Sequence, residues 1–174
     1  MKTTMNKSGF VWCILLALAF TGCQGDQEGK HHFDNKVFIS AASYTPEVRV
    51  MRDALDVTEE HTCEITVAMA QPVAQDITVS FAEAPELLDR YRTFYDDPTA
   101  QLLPSDGGYY DFSQVSAVIR SGLVQSEPLA FTFKKLDKLP IENKERYVLP
   151  MTIVSADGME VLASARTVYF VFMK

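Results

Sequence analysis

Apolar residues that recur at every second position constrain the fold of this chain more than any other feature of its sequence. The alternating segments lie at 62–69, 77–81, 115–119 and 129–133. Because successive side chains of a strand point to opposite faces, each segment predicts a strand with one buried and one exposed face. Four such segments favour an all-β fold.

Two segments near the C-terminus, 147–155 and 167–173, are apolar almost throughout. Such continuous segments are typical of strands near the middle of a sandwich. Pro150 lies in the first of them and predicts an edge position or a bulge, because proline cannot donate to the hydrogen-bond ladder. With 37–40 and 48–51 in front, the sequence predicts an antiparallel all-β sandwich of about eight strands.

One segment departs from the two-residue period. Its large apolar residues have the spacing of one helix face: Leu87, Leu88, Tyr91, Phe94 and Tyr95. Pro85 suits the first helical position, so we expect one short helix at 85–95 that caps an end of the sandwich. Tyr91 and Tyr95 are candidates for a platform on which a sugar ring stacks. The alternative, more usual for an aromatic stripe on a helix, is that they belong to the core.

The N-terminus has the pattern of a secretory signal peptide. Lys2 and Lys7 are followed by an uncharged, mostly apolar stretch of 11 residues at 10–20. This stretch is shorter than the roughly 20 residues that a membrane-spanning helix needs. A Thr-Gly pair then precedes Cys23, as in a lipobox, so we expect cleavage after residue 22 and lipidation of Cys23. The alternative is an ordinary signal peptide cleaved nearby.

Lipidation would hold the protein on a membrane without spanning it, because several buried acyl chains anchor stably. The predicted organisation is a signal peptide at 1–22, a flexible polar tether at 23–36 and a sandwich domain at 37–174. Asp26 and Glu28, just after the cysteine, resemble a surface-export signal of Bacteroidetes-type lipoproteins. The expected location is therefore the outer membrane, facing the cell surface.

The charge of the chain excludes two classes of partner. The whole chain has a formal charge of −7, and cleavage before Cys23 leaves 14 basic and 23 acidic side chains, a charge of −9. Nucleic acid and anionic membrane surfaces require a basic surface, so neither is an expected partner. Cys63 would be the only free thiol and, at an inward strand position, is expected to be a small buried hydrophobic residue.

A turn-rich segment supplies the other candidate binding residues. Ser105-Asp106-Gly107-Gly108 has the composition of a turn and leads into Tyr109 and Tyr110. Because side chains alternate along a strand, one tyrosine is expected to point inward and the other outward. The outward tyrosine is a candidate for stacking on a glycan, and the alternative is that it covers the sheet.

The sequence contains no pattern typical of catalysis, of metal binding or of a cofactor site. Carboxylates that could be paired across a cleft are frequent, but in an acidic protein we expect them to form a solvated face: Glu83, Glu86, Asp89, Asp96, Asp97 and Asp106. His31 and His32 lie in the predicted tether without accompanying ligands. A glycine-rich phosphate loop and a nucleophile elbow are also missing from the sequence. We therefore expect no enzyme activity.

Four segments in combination carry a family resemblance: QLLPSDGGYYDFS (101–113), SEPLAFTFKKLDKL (126–139), ERYVLPMTIVSADG (145–158) and ARTVYFVF (165–172). Together they resemble a domain of unknown function common in Bacteroidetes surface lipoproteins, over about residues 37–173. The resemblance implies an immunoglobulin-like N-terminal module. In that family the module often precedes a chitinase-like endoglycosidase or a lectin-like domain and is encoded in polysaccharide-utilisation systems. The chain ends with the last predicted strand, so an accessory module alone is expected.

Three functions follow as hypotheses. The first is a non-catalytic surface module that assists glycan binding or organises a polysaccharide-utilisation assembly. Its stacking would rely on tyrosines, because the single tryptophan, Trp12, lies in the predicted signal peptide. The second is an adhesion or structural subunit whose edge strands pair with a protein partner. The third, an enzyme, would need a carboxylate pair that the sequence does not single out.

Overall fold

The computed structural model describes residues 33–40, 50–55, 60–112, 114–140 and 145–173. The predicted signal peptide, Cys23, and the part of the predicted tether before residue 33 lie outside these residues.

Within this part of the chain, most residues of regular structure lie in strands. The strands are β1 (Lys36–Ile39), β2 (Val50–Leu55), β3 (Glu60–Ile65), β4 (Val67–Ala68), β5 (Ile77–Glu83), β6 (Gln101–Leu102), β7 (Gln114–Ile119), β8 (Leu129–Lys134), β9 (Tyr147–Ala156), β10 (Glu160–Val161) and β11 (Thr167–Phe172). A 3-10 turn at Pro85–Leu87 leads into the helix α1 (Leu88–Tyr95), so the helix predicted at 85–95 is confirmed. It ends at Asp96, which takes the left-handed conformation with φ of 50°.

The largest sheet has the strand order β2-β11-β9-β5-β7. Its centre is antiparallel, whereas β2 pairs with β11 in parallel and β6 pairs in parallel with the first residues of β9. The facing strands form an antiparallel pair, β3 with β8, and a small sheet of order β10-β1-β4. The predicted immunoglobulin-like β-sandwich is therefore confirmed, and it contains parallel pairs that the alternation did not indicate.

Phenylalanine rings join the two layers of the sandwich. Phe131 and Phe133 of β8 each lie 5.0 Å from the ring of Phe170 in β11, and Phe133 lies 4.8 Å from Phe172. Cys63 is buried among them in β3, as its inward position predicts. Each fully buried ring contributes roughly 1.5–3 kcal/mol through removal of apolar surface from water.

Pro150 does not place β9 at an edge, because β9 pairs with β11 on one side and with β5 and β6 on the other. On that second side, β6 pairs with β9 as far as Val148, and β5 pairs with β9 from Met151 onward. Pro150 therefore lies in the gap between the β6 pairing and the β5 pairing. Its carbonyl oxygen accepts a hydrogen bond from the Ala84 amide at 2.9 Å. A proline is tolerated there because no strand on that side requires its missing N–H.

The two ends of the sandwich carry different features. At one, Arg120 forms an ion pair with Asp76, just before β5, and Met69 donates to the Val124 carbonyl. β1 runs antiparallel to β4, so its first residue, Lys36, lies at this end, which we call the β1 end. At the other, which we call the tyrosine end, β5 finishes at Glu83, where the carboxylate meets the hydroxyl of Tyr110.

Candidate functional site

The tyrosines of α1 are packed against the main sheet. Tyr91 is 4% exposed, and its ring centroid lies 4.9 Å from that of Tyr95 and 5.5 Å from that of Tyr169 in β11. We call these three rings, with Leu88, the helix cluster. Tyr91 is therefore a core residue in this structure, which is the alternative left open by the sequence. On the outer side of the same helix, Phe94 is 41% exposed.

A second aromatic group, the loop cluster of Tyr109, Tyr110 and Phe112, covers the core at the tyrosine end. The Tyr110 hydroxyl donates to Oε2 of Glu83 at 3.0 Å, and its ring lies 5.0 Å from Phe112. Burial and then the neighbouring Glu83 carboxylate raise the pKa of Tyr110 above its usual range. Tyr109 and Tyr110 are both partly exposed and both pack against the core, so burial does not separate them into an inward and an outward residue. Tyr110 differs in that its hydroxyl ties the loop to the end of β5.

Tyr109 is held differently. Its carbonyl oxygen accepts a hydrogen bond from the Lys134 amide at 2.7 Å, which fixes the main chain at the end of β8. Its ring folds back over Gly107, where a Cβ atom would lie only 1.9 Å from Cε2 of the tyrosine. The side chain remains partly exposed. Only glycine at position 107 leaves room for the Tyr109 ring to lie this close to the main chain. The ring consequently lies on the loop with part of its surface exposed.

Two nearby acidic residues depart from the solvated face predicted for them. Glu83 is half-buried beneath Tyr110, and Asp97 is 5% exposed. Asp97 accepts a 2.6 Å hydrogen bond from Nη1 of Arg146, and Thr99 donates to its other oxygen. Both carboxylates thus have hydrogen-bond partners within the fold: Glu83 has Tyr110, and Asp97 has Arg146 and Thr99.

The outer face of the main sheet has a shallow depression of about 460 Å³. Small or aliphatic residues line it, including Ser80, Ala82, Ser116 and Val154. Val154 is 59% exposed because the register of β9 against β5 shifts there, which leaves it as the extra residue of a bulge. Sequence periodicity did not single out this surface. Its lining has no charged group that would orient a ligand.

The described part of the chain holds neither a metal-site grouping nor a membrane-spanning helix. No three of its histidine, cysteine, aspartate or glutamate side chains are grouped as a metal site would require. None of its helices has the length and apolar character needed to cross a membrane.

The fold and the loop cluster define an immunoglobulin-like sandwich module with an aromatic loop at one end. Residues 33–160 match the model of a family of N-terminal domains, and the chain belongs to that family. The resemblance found in the sequence is thereby confirmed. Among curated proteins, none matches the chain.

Solved structures from Bacteroides share the fold. One, described as a proposed carbohydrate-binding protein from Bacteroides ovatus, is 22% identical with a TM-score of 0.61, covering 80% of this chain and 37% of its own. A two-domain protein of unknown function from Bacteroides fragilis is 17% identical with a TM-score of 0.56, covering 83% and 47%. A Bacteroides ovatus multidomain protein including DUF1735 is 19% identical with a TM-score of 0.50, covering 78% and 43%. This chain thus spans less than half the length of each structure.

Proposed function

We propose that the protein is a lipid-anchored, non-catalytic module that binds a glycan at the loop cluster. The observation that carries this proposal is that two adjacent tyrosines make different contacts. Tyr110 fixes the loop through Glu83, and Tyr109 presents a partly exposed ring above Gly107. A ring held in advance loses little freedom on binding, which favours stacking against the apolar face of a sugar.

Similarity to other proteins supports a glycan as the ligand. A structure with the same fold is described as a proposed carbohydrate-binding protein, and the sequence resembles a family whose members are encoded in polysaccharide-utilisation systems. The proposal also takes the module to be non-catalytic, and in keeping with this Glu83 and Asp97 are held by hydrogen bonds to Tyr110, Arg146 and Thr99.

The glycan proposal is tested with the purified full-length protein in detergent, by affinity electrophoresis through gels that contain a panel of polysaccharides. We expect at least one polysaccharide to retard the protein. Tyr109→Ala should weaken that binding by about 1 kcal/mol or more, roughly fivefold in Kd. Phe94→Ala is the matched control, because it removes an exposed aromatic ring from α1 and should leave retardation unchanged. Absence of retardation by the whole panel would reject glycan binding.

The anchor is tested separately. We propose that Cys23 carries the lipid and holds the protein on the outer membrane, facing the cell surface. Cys23→Ser should move the protein from the membrane fraction to the soluble fraction, because the acyl chains supply the attachment. Cys63→Ala is the control, since Cys63 is buried in β3 and its loss should leave the protein with the membrane. A Cys23→Ser protein that stays membrane-bound would reject the lipid anchor.

A specific observation favours a second function, pairing with a protein partner. β7 is an edge strand of the main sheet, and no strand in the described part of the chain pairs with its outer side. Its sequence, QVSAVI, has neither a charge nor a proline, the usual protections of an edge against strand addition. Sedimentation would test this. Ser116→Lys should abolish any self-association or partner binding, whereas Gln71→Lys, an exposed site outside the strands, should not.

A further inference from the structure

A lysine lies beside the loop cluster without an acidic partner. Five basic side chains form ion pairs with carboxylates: Lys36, Arg92, Arg120, Lys138 and Arg146. Lys135 is exposed and forms no ion pair with any residue that the structure describes. Arg90, Lys134 and Arg166 are likewise exposed without an ion pair among the described residues, but Lys135 is the one whose Nζ lies against the binding loop.

The backbone holds Lys135 in a defined position. The residue directly follows β8 and takes the left-handed conformation, with φ of 54°. Its Nζ atom lies 3.1 Å from the point where a Cβ atom of Gly108 would be, and Gly108 itself has φ of 64°. The ammonium group therefore lies against the main chain of Gly108.

The tyrosine ring and the ammonium group thus flank the same two residues. The ring of Tyr109 covers Gly107, and Nζ of Lys135 lies against Gly108. Any side chain at Gly107 would collide with the ring, and any side chain at Gly108 would crowd the ammonium group. Of these consecutive glycines, one therefore lies against an aromatic ring and the next against a positive charge, in the loop at the tyrosine end.

The acidic residues of this region do not form an ion pair with the ammonium group of Lys135. Glu83 accepts the hydrogen bond of Tyr110, and Asp137 forms its ion pair with Lys138. Asp106 and Asp111 belong to the same loop, but neither forms an ion pair with Lys135. The positive charge of Lys135 therefore remains available to a ligand.

From this placement we infer that the loop cluster binds an anionic sugar, one that carries a carboxylate or a sulfate group. This inference rests on the proposed glycan-binding function and specifies its ligand class. The sugar ring stacks on Tyr109 while its anionic group meets the ammonium group of Lys135. An ammonium group is a compact charge with three donors, which suits either a uronate or a sulfate oxygen.

The experiment compares four polysaccharides of matched length in the affinity gels: a polyuronate, a sulfated galactan, and a neutral galactan and glucan. The full-length protein in detergent should be retarded more strongly by the polyuronate or the sulfated galactan than by the neutral pair. Whichever of the two anionic polymers binds identifies the anionic group. Lys135→Gln should weaken that binding roughly threefold to fivefold. The difference between wild type and variant should shrink as salt is raised, because the charge is screened.

Arg166→Gln is the matched control, because it removes one exposed positive charge that has no ion-pair partner among the described residues. It should leave binding unchanged. Gly107→Ala provides a second variant, since it displaces the Tyr109 ring while Lys135 is kept, and it should weaken binding of any sugar. Thermal unfolding of each variant verifies that it is folded.

The outcomes separate this inference from the proposal on which it rests. Equal binding of neutral and anionic polymers, with no effect of Lys135→Gln, overturns the inference and leaves glycan binding intact. Failure of all four polysaccharides and of the wider panel rejects both.

Discussion

The helix cluster and the loop cluster each place neighbouring tyrosines against the sandwich, yet they expose them differently. In the helix cluster, Tyr91 is 4% exposed between the rings of Tyr95 and Tyr169. In the loop cluster, Tyr110 is fixed by Glu83, and Tyr109 stays partly exposed over Gly107. Helical spacing places rings on one stripe that faces the sheet, so the central ring is buried.

The tyrosines of the loop cluster follow a glycine turn, and both stay partly exposed while they pack against the core. Backbone geometry, more than the number of aromatic residues, therefore decides whether a tyrosine is available to a ligand. Four measurements test how far the two clusters differ.

Tyr91→Ala should lower the free energy of unfolding by about 3–5 kcal/mol, because it leaves a cavity beneath α1 that its neighbours cannot fill. Urea denaturation followed by circular dichroism would measure the loss. Tyr109→Ala is the control and should cost less than about half as much, since its ring is partly exposed. Equal losses for the two variants would contradict the distinction between the clusters.

Tyr110→Phe should lower the free energy of unfolding by about 1–2 kcal/mol, because the half-buried Glu83 carboxylate loses its hydrogen-bond donor. Chemical denaturation again measures the effect. Tyr109→Phe is the matched control, since its hydroxyl forms no hydrogen bond with the described residues, and it should be close to neutral. A neutral Tyr110→Phe would mean that Glu83 does not anchor the loop.

Gly108→Ala should destabilise the protein by about 1 kcal/mol, because its φ of 64° is unfavourable for a residue with a Cβ atom. Gly122→Ala shares the positive φ at 81°, but no atom lies within 4 Å of its added Cβ. The only atom near the added Cβ of Gly108 is Nζ of Lys135, the end of an exposed and flexible side chain that can move away, so the two variants should lose similar stability. Thermal melts of both proteins in parallel would measure the two losses, and a much larger loss for the Gly108 variant would mean that Lys135 is held rigidly against the loop.

The smallest effect concerns alkaline pH. Burial is the main cause that raises the pKa of the Tyr169 phenol above its usual range. The folded state therefore favours the neutral phenol. The resulting stability is fully present below about pH 10 and is lost as the pH rises through the folded-state pKa. Tyr169→Phe should flatten this decline, measured as urea midpoints between about pH 8 and pH 11. A decline as steep as in wild type would assign the loss to other groups.

Local periodicity predicted most of the fold. The two-residue alternation located the main strands, and the stripe from Leu87 to Tyr95 located the helix, because both depend only on neighbours in sequence. The alternating segment 62–69 nevertheless divides at Thr66, since β3 pairs with β8 and β4 pairs with β1. A change of partner strand depends on residues distant in sequence, and it does not alter the two-residue period of the apolar side chains.

The same limit applies to the candidate site. Pro150 and Asp97 have strong local preferences, for an edge and for solvent, but distant residues determine their surroundings. The sequence indicated Tyr109 and Tyr110 as a pair, and it could not assign their roles. Those roles depend on Glu83 and on Lys135, which lie more than 20 residues away on either side. Contacts of this kind are set by topology.

The position of β1 determines how far the point where the chain enters the sandwich lies from the loop cluster. The chain enters β1 from Phe33 at the β1 end, and β5 extends from there to Glu83 at the tyrosine end. Seven residues at about 3.3 Å each make β5 roughly 20 Å long. The residue at which the chain enters β1 and the loop that carries Tyr109 and Lys135 therefore lie at opposite ends of the sandwich, about one strand length apart.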